Sequence, residues 1–177
     1  MEELLNNEKE SANPLTAADW VKKARMYNRA INQYSTIIEC YENAFKLDPN
    51  NWEALSELGN LLSSAVDDAG QPMEESVRYL KRALELNPDN SEIWVWLACS
   101  LFNRKRVQEA NQALEKALIL NPCNAEAHFN KMLFLAAANS TISEQTKELL
   151  LCLQYDPNHD MARMLYRMQF GKEYENK

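Results

Sequence analysis

Four short stretches decide how this chain folds: Leu47-Asp48-Pro49-Asn50-Asn51, Leu86-Asn87-Pro88-Asp89-Asn90, Leu120-Asn121-Pro122-Cys123-Asn124 and Tyr155-Asp156-Pro157-Asn158-His159. They are near-copies, and their prolines Pro49, Pro88, Pro122 and Pro157 stand 39, 34 and 35 residues apart. Proline cannot continue a helix, because it lacks an N–H and its ring collides with the preceding turn, whereas an Asn or Asp after it can cap a new one. Each copy therefore marks the end of one helix and the start of the next, with a period near 34 residues and some insertions.

Between these marks apolar residues recur at i, i+3, i+4 and i+7, the spacing of one helix face, and two helices fit each interval. In the best-kept interval Trp94, Leu97, Ala98 and Leu101 make the first stripe, and Ala110, Leu114, Ala117 and Leu118 the second. The small Ala98 and Ala110 let the two helices of this hairpin approach closely. Composition points the same way. The chain has 177 residues, 46% hydrophobic and 25% charged, enough for one ordinary domain. With only 3 glycines, and 6 prolines spread along the chain, many-turned β architectures and flexible linkers are poorly served. No run of about 18 apolar residues is present, and the N-terminus lacks the basic start and apolar stretch of a secretory signal, so a cytoplasmic protein without membrane insertion is expected.

A 34-residue helix-turn-helix carrying Trp94, Leu97-Ala98, Ala110, Leu114, Ala117 and Pro122 resembles the tetratricopeptide repeat. The resemblance runs over roughly residues 17 to 170. The unit before it matches through Leu55, Leu58-Gly59, Leu62, Ser76, Leu80, Ala83 and Pro88 once five extra residues are allowed, and the first unit through Trp20, Ala24, Tyr27, Ile37, Tyr41, Ala44 and Pro49. The fourth unit departs furthest: His128 stands where Trp is favoured, Met132 replaces the small residue and Cys152 replaces Ala. The resemblance implies an all-α, right-handed α-solenoid of about four helix-turn-helix units, over 16–50, 51–89, 90–123 and 124–158, plus a capping helix over 159–170. Residues 1–15 read as a flexible acidic tail in which Leu4 and Leu5 are the large apolar residues before Pro14, and 171–177 as a second tail. Thr16 with Asp19 three residues on is a variant capping box. The stretch 65–72, with Gly70 and Pro72, reads as a surface insertion before a helix starting near Met73. Met161, Met164, Leu165, Met168 and Phe170 form the stripe of the closing helix; an adaptable methionine surface for a partner is the rival reading.

Charge and cysteine narrow the function. Nineteen basic against 26 acidic residues give a net charge of -7, which disfavours nucleic acid as a target. The densest positive stretch, Arg104-Lys105-Arg106, falls at a helix-to-helix turn and reads as solvated or C-capping. Cys40, Cys99, Cys123 and Cys152 are widely spaced and read as reduced thiols; Cys123 with His128 and Cys152 with His159 have no second pair at zinc-ligand spacing, so no metal is expected. With Gly59, Gly70 and Gly171 as the glycines, no phosphate-cradling loop can be built, and no cofactor or catalytic constellation stands out. A non-enzymatic protein is expected.

Stacks of the family line a concave groove with the first helix of every unit, and that groove takes an extended peptide or helix of another protein. The residues one step off the packing stripe then become site candidates. In the first two units they are Val21, Arg25, Asn28 and Arg29, then Ser56, Asn60, Ser63 and Ser64, a polar half. In the third and fourth units they are apolar: Val95, Cys99 and Phe102, then Phe129, Leu133 and Ala136. Two readings of this greasy half stand side by side, a pocket for an incoming segment, with Phe129 as its anchor, or a groove filled by the protein itself. Glu92 and Glu126, with Glu53, recur at the starts of first helices and could form an acidic rim. A carboxylate clamp of the kind that grips chaperone C-termini is not expected, because the matching positions in either register include Glu57 and Glu92 or Glu126, and only Asn60 agrees. An adaptor or assembly subunit is the leading expectation, a client-specific chaperone or co-chaperone the second, and self-association a third.

Overall fold

The computed structural model of the protein describes residues 15–27, 34–64 and 74–175. Residues 1–14 of the expected tail 1–15, together with Asn28, Arg29, the expected insertion 65–72 and Met73, lie outside the described residues. Among those described there are nine α-helices and no strands: α1 Ala17–Met26, α2 Tyr34–Leu47, α3 Trp52–Leu61, α4 Glu75–Leu86, α5 Ser91–Asn103, α6 Val107–Leu120, α7 Ala125–Ala137, α8 Ile142–Tyr155 and α9 Asp160–Phe170, with a 3-10 turn at Leu62–Ser64 after α3. The fold is an all-α helical repeat.

The repeated turns work as their composition requires. Pro49, Pro88, Pro122 and Pro157 each stand two residues beyond the last residue of α2, α4, α6 and α8. The side chains of Asn51, Asn90 and Asn124 then accept N–H bonds at the starts of α3, α5 and α7, and His159 does the same for α9 through Nδ1 at 3.2 Å from the Ala162 nitrogen. Thr16 and Asp19 close the expected capping box on α1, and Thr141 with Glu144 close another on α8. The short turns inside the third and fourth units are Schellman motifs. In the third, Arg106 N–H donates to the Leu101 carbonyl and Lys105 N–H to that of Phe102; in the fourth, Ser140 and Asn139 repeat the pattern on Leu135 and Ala136. Lys105 and Asn139 therefore take left-handed backbone, with φ of 59° and 54°.

α1 packs antiparallel on α2, α3 on α4, α5 on α6 and α7 on α8. First helices also touch the first helices of neighbouring units, α3 on α5 and α5 on α7, whereas second helices make no comparable contact among the described residues. The stack therefore curves with α1, α3, α5 and α7 on its inner side. Close approach is paid in side-chain size: Ala44, Ala83, Ala117 and Cys152 occupy equivalent, fully buried positions in the second helices, and Ala24, Gly59, Ala98 and Met132 occupy the facing position in the first. The divergent Met132 and Cys152 are thus packed in the same register as their smaller counterparts.

A buried polar chain ties the middle units together. Ser76 Oγ donates to the Gly59 carbonyl at 2.7 Å and lies 2.7 Å from Ser100 Oγ, and Arg104 Nη1 donates to the Ser100 carbonyl at 2.8 Å and to Ser100 Oγ at 3.0 Å. The Arg104 side chain is only 3% exposed, its Nε and Nη2 lack hydrogen-bond partners, and burial pulls its pKa down. The solvated reading of this residue is corrected here: it is a buried C-cap whose guanidinium turns back over the last turn of α5.

α9 docks as though it opened a fifth unit. Ala162 is buried where Ile93 and Ala127 are buried in α5 and α7. Its far side is closed by the residues that follow: Glu173 pairs with Arg163 at 3.5 Å and Arg167 at 3.2 Å, and Tyr174 meets Tyr166 edge-on at 5.3 Å.

Candidate functional site

The inner side of α3, α5, α7 and α9 brings most of the sequence candidates onto one surface, but not all of them to its exterior. Val95 is 1% exposed and Phe129 7%, so both are core. Val95 packs with Ile93, Leu97 and the α4 to α6 apolar residues; Phe129 packs with Met132, Leu149, Cys152, Leu153 and Ala162, and its ring lies 4.5 Å from that of His159. Their assignment as groove-lining anchors is corrected. Adjacent first helices touch, so a residue one step off the stripe is covered by the neighbouring unit, and at Phe129 the cover is α9. The self-filled reading describes this point of the groove.

Beyond that layer the surface is assembled by bonds that cross three units. Cys99 Sγ of α5 lies 3.1 Å from Asn130 Oδ1 of α7; Asn130 Nδ2 donates to Glu126 Oε1 at 3.0 Å; Glu126 Oε2 lies 3.2 Å from His159 Nε2 of α9. Asn130 was not among the candidates, although its repeat register, next in line after Trp96, carried the signal. Burial, reinforced by Glu126, pushes the Cys99 thiol up to about 12, so it is a neutral donor here. Phe102 is half-buried and stacks on Phe134 with centroids 4.0 Å apart and planes at 8°. Leu133 is 39% exposed, one turn beyond Phe129. Glu92 is exposed, with no ion pair among the described residues.

The other end of the inner side is neutralised by its own residues. Arg25 pairs with Glu57, its Nε donating to Oε1 at 2.8 Å, and lies 3.7 Å from Glu53, while Tyr41 Oη donates to Glu57 Oε2 at 2.8 Å. The hydrogen bond to Glu57 raises the Arg25 pKa. Ser56 is buried with its hydroxyl on the Glu53 carbonyl, and Asn60 is partly exposed. Arg29 lies outside the described residues.

His128 explains how the fourth unit tolerates losing Trp. Its Nε2 lies 3.0 Å from the Pro122 carbonyl, just as Trp94 Nε1 donates to the Pro88 carbonyl at 2.8 Å. Its Nδ1 faces Glu148 at 2.7 Å, and Lys131 reaches the other carboxylate oxygen at 2.8 Å. Burial alone would raise the Glu148 pKa, but the hydrogen bonds from Lys131 and His128 outweigh it and hold the carboxyl below its usual range. No group of three or more His, Cys, Asp or Glu among the described residues could hold a metal ion, and no helix there is long and apolar enough to cross a membrane.

Repeat spacing, curvature and the buried small-residue positions define an α-helical repeat protein. Tetratricopeptide repeat models match residues 40–75 and 73–128, together spanning half of the chain, and the chain belongs to the tetratricopeptide repeat family. Over 118 residues it is 31% identical to the peroxisomal targeting signal receptor of Candida albicans, covering 62% of this chain and 19% of that protein. The chain spans 14–19% of the length of the curated relatives it matches. Among solved structures, the APC/C hetero-tetramer Cut9-Hcn1 superimposes with a TM-score of 0.70 at 18% identity, over 88% of this chain and 30% of that one, and MamA with 0.62 at 22%, over 90% and 87%. At these identities the likeness is one of fold.

Proposed function

We propose that this protein is a non-catalytic, cytoplasmic adaptor or assembly subunit that holds an extended peptide or helix of another protein against the inner side of its first helices. The observation that carries the reading is the exposed apolar surface left on that side beyond the buried Val95 and Phe129, with Leu133 and the edge of Phe102 at its centre. Surplus apolar surface rimmed by polar groups favours a protein partner, and here the rim is Cys99, Asn60, Glu92 and Glu126, with the paired Arg25 further along. Membership of the family supports it, as does similarity to a receptor whose name gives it a peroxisomal targeting signal as ligand. The net charge of -7 argues against nucleic acid.

A photo-crosslinking residue placed at Leu133, with a matched one at Ile119 on the outer side of α6, tests the reading. Both positions are exposed and apolar. Adducts to a discrete protein from Leu133 and none from Ile119 are expected; equal yields from the two, or none from either, would overturn it. A client-specific chaperone is the second reading, favoured by the exposed methionines of α9, and it requires suppression of client aggregation at equimolar ratio.

A further inference from the structure

The closing helix is not closed on every side. α9 buries Ala162 and turns Arg163 and Arg167 toward Glu173, so two of its sides have partners within the chain. The third does not. Met161, Met164 and Met168, spaced i, i+3 and i+7, are 51%, 40% and 74% exposed. Repeat register puts them in line with Glu126, Phe129 and Leu133 of α7, so the bare methionine face continues the inner surface of the stack by one helix. Glu126 and Glu92 stand one and two units back in the row that holds Met161, and Glu92 makes no ion pair among the described residues.

We propose that this face, built from Leu133, Met161, Met164 and Met168 and bordered by Glu92 and Glu126, is the docking surface for a cationic amphipathic helix. The inference rests on the protein-binding reading and adds the chemistry of the partner. An apolar strip about one helix wide takes the i, i+3, i+4, i+7 side of a helix, and unbranched polarizable methionines adapt to a range of such side chains. The two carboxylates at one edge fix the sign: Lys or Arg flanking the apolar side is attracted, and Glu or Asp is repelled. The occupant is therefore neither a free C-terminal carboxylate nor an acidic segment. His159 ties Glu126 to the start of α9, so α7 and α9 present their parts of the surface as one unit.

Three fluorescent 18-residue peptides test this against the whole chain: a Leu/Lys amphipathic helix, its Leu/Glu twin with the same apolar side, and a Leu/Lys scramble that breaks the side. The Leu/Lys helix is expected to bind at least tenfold more tightly than either control, measured by anisotropy. Leu133→Ser with Met168→Ser should weaken it tenfold or more, Glu92→Gln about threefold with a shallower salt dependence, and Ile119→Ser not at all. Circular dichroism melts of each variant keep binding separate from folding, and both serine positions are exposed. If the twin binds as well as the Leu/Lys helix and the Leu133/Met168 change weakens both, the surface binds protein but the charge preference is overturned. Indifference of every peptide to that change overturns the docking surface itself, while adducts at Leu133 would still support the broader adaptor reading.

Discussion

Phe129→Ala separates core from site more sharply than any other single change. The ring is 7% exposed and packed between Met132, Leu149, Cys152, Leu153 and Ala162, with His159 tilted over it at 4.5 Å. Truncating a buried Phe to Ala costs about 3 to 5 kcal/mol, from lost transfer energy and from the cavity left behind. Repeat stacks are stabilised between neighbours, so this loss falls on α7 to α9 and leaves α3 to α6 largely intact. α9 is the exposed flank, with Ala162 as its one fully buried side chain. A loss of about 3 kcal/mol corresponds to more than a hundredfold rise in the opening equilibrium of that helix. Hydrogen exchange read by mass spectrometry should show peptides from α9 exchanging near the unprotected rate, while those from α3 and α5 change little. Leu133→Ala, an exposed change one turn away, should move stability by less than about 0.5 kcal/mol. Unaltered protection of α9 in the Phe129 variant, together with a stability loss below about 0.5 kcal/mol, would refute the packing described here and restore Phe129 to the ligand surface.

Other changes probe the remaining elements. Gly59→Ala would gain about 1 kcal/mol from helix propensity, but its Cβ would fall 2.7 Å from Leu80 Cγ and 3.2 Å from the Leu80 backbone nitrogen, so a net loss of roughly 1 to 2 kcal/mol is expected in urea unfolding; a stabilised variant would contradict the close approach of α3 and α4. Lys105→Gly relieves a left-handed backbone at φ 59° and should raise stability by about 1 kcal/mol, seen as a higher Tm. The folded Glu148 carboxyl is held below its usual value of 4.5, so its contribution is complete above that pH and is lost as pH falls through the lower, folded pKa; the Tm gap between wild type and Glu148→Gln should shrink below about pH 4.5, and a gap that widens there would be contrary. Exposed Cys123 should alkylate first at pH 8, because burial raises the pKa of Cys40 and drives Cys99 and Cys152 up to about 12, leaving the latter two roughly one part in ten thousand thiolate; peptide mapping that found Cys152 first would disprove the burial of the α7 to α9 core.

The fold was legible because its punctuation is local. Proline two residues past a helix and Asn at the next cap act within a few bonds, and Pro49, Pro88, Pro122 and Pro157 mark the ends of α2, α4, α6 and α8 without reference to the rest of the chain. The small positions were legible for a related reason, since Ala98 and Ala117 mark where two helix axes must come close. The inner surface was only half legible because it depends on curvature, which no stripe records. Val95 and Phe129 have the angular position of groove residues, yet whether such a residue meets solvent or a neighbour is set by how far apart successive first helices lie, a distance fixed by packing elsewhere in each unit. Arg104 was half legible: a charge in a turn reads as solvated or C-capping, and it is the C-cap of α5, but the turn folds over the Ser76–Ser100 pair and takes the guanidinium inside. Substitutions that preserve a bond rather than a shape were invisible until the partner was known. His128 replaces Trp but keeps a ring nitrogen against the proline carbonyl, and His159 replaces Asn but keeps a lone pair for the helix start. These replacements let the most divergent unit hold the same register as the others, with His128 inside the unit and His159 at the seam where α9 meets α7. The divergence of the fourth unit at His128, Met132 and Cys152 is thus buried, and it is absorbed inside the unit without disturbing the common pattern of the stack.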